Sequence, residues 1–215
     1  MTVSAANQSS DRAALVRAAF LLEWITVVWM TIEAGVALAS GVAAHSITLL
    51  AFGLDSVIEL ASAGVLIWRL AVELRHGQDF SEHAERLASR IGGGLLFALA
   101  LYVIASAAWS LWTREGAEFS IPGIAVALAA IPVMYVLARR KLDIAEKLGS
   151  RAMRTDAIES IACGWLSLVV VIGLLAQLIT GLWWVDAATS LGIVGFLVKE
   201  TREAWQDEEC DGECH

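Results

Sequence analysis

The sequence predicts an all-α polytopic membrane protein with six transmembrane helices and both termini in the cytoplasm. Three features predict this fold: the composition, six apolar segments and the distribution of positive charge. Of the 215 residues, 58% are hydrophobic and 18% are charged, and the mean hydropathy is +0.66. A soluble domain of this length would carry more charge and shorter apolar runs.

Six apolar segments have the length that a spanning helix needs, which is ~20 residues. They are expected at 20–42, 46–68, 91–112, 121–138, 156–179 and 182–198. We therefore divide the chain into an N-terminal segment 1–18, a transmembrane domain 19–198 and a short cytoplasmic tail 199–215. The polar N-terminus has no cleavage site after a short apolar core, so segment 1 is expected to be an uncleaved spanning helix. Asp186 opens helix 6, and we expect it to cap that helix.

The positive charges predict the orientation of the helices. All but one of the 15 Lys and Arg residues precede helix 1, lie in the 2–3 and 4–5 connections or follow helix 6. The exception is Arg114, between helices 3 and 4. Basic loops stay in the cytoplasm, which places both termini there. The basic residues show no interleaved aromatic pattern, so no nucleic-acid partner is expected.

Two pairs of polar residues lie inside predicted helices 2 and 5. Asp55 and Glu59 are four residues apart, as are Glu159 and Cys163, so each pair shares one helix face. A carboxylate at mid-depth costs ~3 kcal/mol or more, and such residues usually mark an ion pathway. Both pairs fall at similar depth on antiparallel helices. The sequence therefore predicts one site formed by these four residues, which we call the quartet.

The quartet has the ligands of a divalent transition-metal site. Its thiolate favours zinc or cadmium, whereas carboxylates alone suit harder ions. Four ionised groups in a low-dielectric setting repel one another, so we expect protons on an empty site. Metal binding needs deprotonated ligands, and metal and protons therefore compete. If the site opens alternately to each side of the membrane, the result is metal–proton antiport.

Plainer interpretations of these residues stay open. Asp55 and Glu59 could be neutral acids in a packed interface, and Cys163 alone could be a small buried apolar residue. Glu33 in helix 1 could belong to a proton or ion path, or could make a simple packed hydrogen bond. Asp156 could be an entrance ligand or could stabilise the N-terminus of helix 5, and we favour the second role.

Two peripheral clusters also have metal-ligating composition. The tail cluster could capture a soft metal at the cytoplasmic mouth, or it could be a solvated acidic end, and its thiols should stay reduced in the cytoplasm. The loop cluster could hold a peripheral metal or be an ordinary polar loop. The tail cluster contains Cys210, Cys214 and His215. The loop cluster contains His76, Asp79, Glu82 and His83.

Helices 2 and 5 resemble those of the cation diffusion facilitator family. HSITLLAFGLDSVIELAS is similar to the family's helix 2 pattern, S-x-x-L-L-A-x-x-x-[HD]-S-x-x-D. GSRAMRTDAIESIAC is similar to the start of its helix 5, S-x-A-x-x-[ST]-D-A-x-H-x-x-x-D, and HAERLAS resembles its loop before helix 3. Three positions depart from the commonest zinc-type ligands, since Glu59, Glu159 and Cys163 stand where the family has Asp, His and Asp.

The resemblance implies a proton-coupled exporter of divalent metals whose transport site is the quartet. No permanently bound cofactor is expected, and the cargo is zinc or cadmium, with manganese, iron or cobalt as alternatives. Family members usually carry a soluble domain after helix 6, whereas this chain ends 17 residues after Val198. The resemblance thus predicts a short form in a bacterial inner membrane, with a homodimer held by the transmembrane helices. The small residues from Gly92 in helix 3 suit such a dimer face or internal packing.

Two other classes of function are alternatives to transport. A membrane metal sensor or regulatory subunit could keep the fold and lose net transport, and the altered ligands motivate that alternative. A membrane enzyme is disfavoured because the sequence has no H-E-x-x-H or nucleophile–base pattern.

Overall fold

The computed structural model describes residues 2–76, 82–114 and 117–212. Within these ranges the chain forms helices with short connections and no strand, which confirms the all-α prediction for the described residues. The helices are α1 (Thr2–Ala43), α2 (Ile47–His76), α3 (Glu82–Thr113), α4 (Ile121–Leu148), α5 (Arg151–Thr180) and α6 (Val185–Gly212).

The helices are longer than the apolar segments that predicted them, because polar residues with high helix propensity continue each one. Only the first residue of the second segment, Ser46, and residues 182–184 of the sixth segment fall before their helices. Capping fixes the ends of α4 and α5. Ser120 and Ser150 accept hydrogen bonds at the two N-termini, and Gly149 and Gly181 end the helices with φ of 64° and 63°.

In the described part of the chain, four helices are long and apolar enough to cross a membrane. Their apolar parts are Ala14–Ala43, Ile47–Trp68, Ile121–Leu148 and Asp156–Thr180, and α3 adds the shorter Phe97–Thr113. The side chains of α1 have the opposite distribution to that of a soluble protein. Leu21, Ile25 and Val28 are exposed, whereas Glu23 and Glu33 are buried. This distribution suits a helix whose outer face meets lipid and whose inner face holds polar groups.

The helices pack as three neighbouring pairs. α1 lies along α2, α4 along α5 and α3 along α6. α1 also contacts α4, and α2 contacts α3, α5 and α6. Their shared core includes Phe52, Met134 and Leu166, all buried. Helices α1, α2, α4 and α5 consequently surround the polar side chains that the sequence singles out.

Asp186 joins α6 to the start of α2. Its carboxylate accepts hydrogen bonds from Ser46 Oγ at 2.6 Å and from Ile47 N at 2.8 Å. Its carbonyl oxygen accepts another from Thr48 Oγ1 at 3.0 Å. The side chain therefore satisfies a free N–H group of α2. It also lies in the first turn of α6, where an acidic group favours the helix N-terminus, as the sequence predicts.

Gly53 lets α1 and α2 approach closely. A Cβ atom there would lie 2.8 Å from Leu38 Cγ and 2.9 Å from Leu38 N. Because a backbone nitrogen cannot swing away, we expect Gly53→Ala to push the helices apart and destabilise the protein by about 1–3 kcal/mol. Thermal unfolding in detergent measures this. Gly64→Ala on the same helix meets nothing within 4 Å and is the control. Equal melting temperatures for the two variants would contradict the close approach.

Candidate functional site

Glu33 of α1 is fully buried and accepts hydrogen bonds from two other helices. Ser56 Oγ of α2 donates to Glu33 Oε1 at 2.8 Å, and Cys163 Sγ of α5 donates to the same oxygen at 3.6 Å. Trp29 Nε1, one turn earlier on α1, donates to Oε2 at 2.6 Å. Glu33 thereby connects α1, α2 and α5 through a single carboxylate, whereas the sequence offered it as a path residue or as a simple packed hydrogen bond.

Asp55 of α2 is 2% exposed, and its Oδ1 makes no hydrogen bond within the described part of the chain. The carboxylate interacts electrostatically with those of Glu33 and Glu159. Buried polar atoms are seldom left without a partner, because the lost hydration is then uncompensated. Asp55 Oδ1 can therefore accept a proton or a cation without losing an existing hydrogen bond.

Cys163 of α5 faces carboxylates from α1 and α2. Its side chain is 1% exposed and interacts electrostatically with Glu59, Glu33 and Asp55. A thiol beside acidic groups is protonated unless a cation balances the thiolate. The hydrogen bond to Glu33 uses that proton.

Glu159 lies one turn before Cys163 on α5 and is half-buried. Ser62 Oγ of α2 donates to Glu159 Oε2 at 3.3 Å. This contact links α5 to the same face of α2 that carries Asp55 and Glu59, since the three α2 residues are spaced by four and three positions.

The structure places the quartet where α2 packs against α5. Its members interact with one another, but among the described residues no three His, Cys, Asp or Glu side chains stand close enough to hold one metal ion. The arrangement is a buried cluster of carboxyl groups and one thiol, with Glu33 as an added member. Such a cluster can exchange protons, and it can bind a metal ion only after side chains rotate towards a common centre.

A second polar cluster lies closer to the end of the bundle where α4 connects to α5. Lys141 of α4 is completely buried, and its Nζ donates to Glu23 Oε2 of α1 at 3.1 Å and to Asp156 Oδ2 of α5. Glu23 is also fully buried, and its Oε1 has no hydrogen-bond partner within the described residues. We call these three residues the Lys141 triad.

Asp156 does not serve the N-terminus of α5, as the sequence interpretation favoured. Ser150 caps this helix by accepting a hydrogen bond from Met153 N, and no acidic residue occupies the first turn. A helix dipole acts mainly within that turn. Asp156 instead pairs with Lys141. Its alternative role, as part of an ion path, stays a prediction.

Sequence reasoning missed the burial of Lys141 because it counted this residue as loop charge. A signal was nevertheless present in the spacing along α4. Met134, Leu137 and Ala145 are buried, and Lys141 falls on the same face at four-residue intervals from the last two. Continuing the helical periodicity beyond the apolar segment would have placed the ammonium group inside the bundle.

The peripheral clusters fall largely outside the described residues. In the loop cluster this applies to Asp79 and to the side chains of His76, Glu82 and His83. In the tail cluster it applies to Cys214, His215 and the side chain of Cys210. The backbone of α6 continues to Gly212, so residues 199–212 of the predicted tail are helical. Both metal sites stay predictions.

The chain is similar to a known domain family and to known membrane proteins. Residues 24–206 match the cation efflux transmembrane domain. The chain is similar to an uncharacterized transporter of Synechocystis sp., with 30% identity over 177 residues that cover 76% of this chain and 56% of that protein. It is also similar to transmembrane protein 163 of Xenopus laevis, with 22% identity over 183 residues that cover 84% of this chain and 63% of that protein. The chain thus spans less than two thirds of either relative's length.

The matched residues include the whole quartet and Glu33, together with Lys141 and Asp156 of the triad. They also include the four long apolar stretches, except residues 14–23 of the first stretch. The family consists of metal-cation transporters, which supports the prediction that the chain is not an enzyme. The match confirms the resemblance drawn from helices 2 and 5: this multi-pass integral membrane protein belongs to the cation efflux family.

Proposed function

We propose that the protein exports a divalent transition metal, zinc or cadmium, in exchange for protons bound at the quartet. The observation that carries this proposal is the buried meeting of Glu33, Asp55 and Cys163, which come from three different helices. Buried acidic groups in membrane helices mark ion pathways. Membership of a metal-cation transporter family supports the general activity, and the thiol supports a soft or borderline metal.

In this mechanism the quartet supplies the metal ligands. Asp55 contributes an oxygen that has no hydrogen bond to lose, and Cys163 contributes sulfur once it has lost its proton. Glu59 and Glu159 approach from the adjacent turns of α2 and α5. Side chains must rotate for all four groups to reach one ion, so metal binding is coupled to a local rearrangement between the two helices.

Glu33 is the proposed acceptor of the Cys163 proton. The thiol already donates to Glu33 Oε1, so metal binding at the sulfur can leave the proton on that oxygen. The carboxylate is held by Trp29 and Ser56, which keeps it in place when its charge changes. Release of this proton to the side from which the metal entered, and uptake of a proton from the side to which the metal leaves, would complete an exchange cycle.

We further propose six spanning helices with both termini in the cytoplasm of a bacterial cell, because of the positive charges in the 2–3 and 4–5 connections. The α4–α5 connection, and with it the Lys141 triad, then lies towards the cytoplasm. We propose a homodimer held by transmembrane helices, with the small residues of α3 as its contact face. The tail and loop clusters would bind metal at the same side before or during export.

Flux into proteoliposomes tests the transport proposal. Purified protein is reconstituted with an internal metal-responsive dye, a pH gradient is imposed, and zinc or cadmium is added outside. We expect metal accumulation that follows the gradient and disappears when a protonophore removes it. Metal binding without flux would support the alternative function, a membrane metal sensor or regulatory subunit that binds metal without net transport. Absence of flux with zinc, cadmium, manganese, iron and cobalt would reject the exporter.

Glu33→Gln tests the path of the proton. The amide keeps the shape of the side chain but cannot take the Cys163 proton, so that proton must enter the solvent when metal binds. We expect about one more proton released per metal ion than in the wild type. A pH-indicator titration with cadmium in weakly buffered detergent solution measures this number. Glu146→Gln, an exposed change on α4, is the control. An unchanged proton count in Glu33→Gln would contradict the role of Glu33.

A further inference from the structure

The Lys141 triad lies in line with the quartet. Asp156, Glu159 and Cys163 occupy successive turns of α5, so Asp156 and Cys163 are ~10 Å apart along the helix axis. Glu159 interacts electrostatically with both Asp156 and Lys141. A continuous series of acidic groups thus leads from the triad to the centre of the bundle.

The triad has more acidic than basic groups. Two carboxylates face one ammonium, and Glu23 Oε1 is left without a hydrogen bond in the described part of the chain. Desolvating ionic groups is costly unless each is well paired, and an apolar packing of the same volume is often as stable. A second buried carboxylate beside Lys141 is therefore poorly explained by stability, and it provides a coordinating oxygen that no residue described uses.

We propose that Glu23 and Asp156 form an entrance site for a divalent cation, which Lys141 occupies as a tethered counter-cation. An incoming metal ion displaces the ammonium from Glu23 Oε2 and Asp156 Oδ2 and gains Glu23 Oε1. It then passes to Glu159, one turn deeper on α5, and the ammonium returns to both carboxylates. This inference rests on the proposed function and supplies its cytoplasmic step.

Lysine suits this exchange. Its ammonium is a compact charge on a flexible four-carbon stem, so it can leave and re-form both contacts without moving α4. In the structure it joins α4 to α1 and α5 at once. Occupation by Lys141 therefore also closes the route between these helices. Metal and ammonium exclude each other because both need the same two carboxylates.

Cadmium binding tests the competition. Detergent-solubilised Lys141→Met should bind one more Cd²⁺ per chain than the wild type, because two carboxylates are freed. In Lys141→Met/Glu23→Gln the number should return to the wild-type value. That double variant keeps the net charge of the triad, since one positive and one negative group are removed together. Lys147→Met, at an exposed position of α4, is the control. No extra cadmium in Lys141→Met, or extra cadmium that persists in the double variant, would overturn the entrance site.

Glu23→Gln gives a second test should Lys141→Met fail to fold, because it leaves the Lys141–Asp156 pair intact. We expect the KM for metal uptake to rise about tenfold, the lower range for removing a metal-site contact, with kcat nearly unchanged. An unchanged KM would overturn the proposal. The extra cadmium of Lys141→Met should persist when Asp55→Asn is added. Failure of the quartet and failure of the entrance site are thereby separable.

Discussion

Asp55→Asn is expected to lower the rate of metal–proton exchange by about 100-fold or more. Losing groups that merely orient ligands costs 10–100-fold in metal affinity, and a ligand itself should cost at least as much. The amide fits the same space but carries no negative charge and cannot take up a proton. The change therefore removes both the metal ligand and the proton site at a side chain that is 2% exposed.

The initial rate of zinc uptake into proteoliposomes measures the effect of Asp55→Asn. Asp143→Asn is the matched control, because it makes the same chemical change at an exposed position of α4. The control should transport at the wild-type rate. If Asp55→Asn kept more than half of that rate while both proteins were equally folded and reconstituted, the quartet could not be the transport site.

Cys163→Asp should change which metal is carried. The substitution keeps a negatively charged ligand but replaces sulfur with oxygen, giving a site made of four carboxylates. Thiolates select softer metals, and carboxylates suit harder ions such as manganese. We expect the ratio of cadmium to manganese uptake to fall by about tenfold or more, without the general loss of activity expected for Asp55→Asn.

Uptake from a mixture of cadmium and manganese measures this ratio directly, since both ions then compete for the same protein. Cys163→Ser is the matched control: it removes the thiolate without supplying a charge, so uptake of both metals should decrease. A Cys163→Asp protein that transports with the wild-type preference would show that the sulfur does not set the choice of metal.

The quartet illustrates what helical periodicity can predict. Four-residue spacing placed Asp55 with Glu59, and Glu159 with Cys163, on single faces of α2 and α5. Periodicity gives direction around a helix and position along it. It does not give the distance between helices, which depends on close packing such as that of Gly53 against Leu38. The contact between Glu33 and Cys163 therefore became visible only in three dimensions.

The pairing within the Lys141 triad could not be predicted for a different reason. Counting positive charges predicts topology by treating each Lys or Arg as part of a hydrated loop. Lys141 is instead buried among helices, where Glu23 and Asp156 balance its charge. Those partners lie 118 and 15 residues away in the sequence, and no local pattern pairs them.

The bond between Asp186 and the start of α2 has a consequence for how the protein is made. The N–H group of Ile47 donates to Asp186 Oδ2, which lies 139 residues later in the chain and is therefore synthesised later. At roughly 5–20 residues per second, a ribosome needs about 7–28 s to synthesise that interval. During this time the start of α2 has only its local cap, in which Ser46 Oγ accepts a hydrogen bond from Leu49 N. Any nascent chain that stops before Asp186 therefore leaves the Ile47 N–H group without this acceptor.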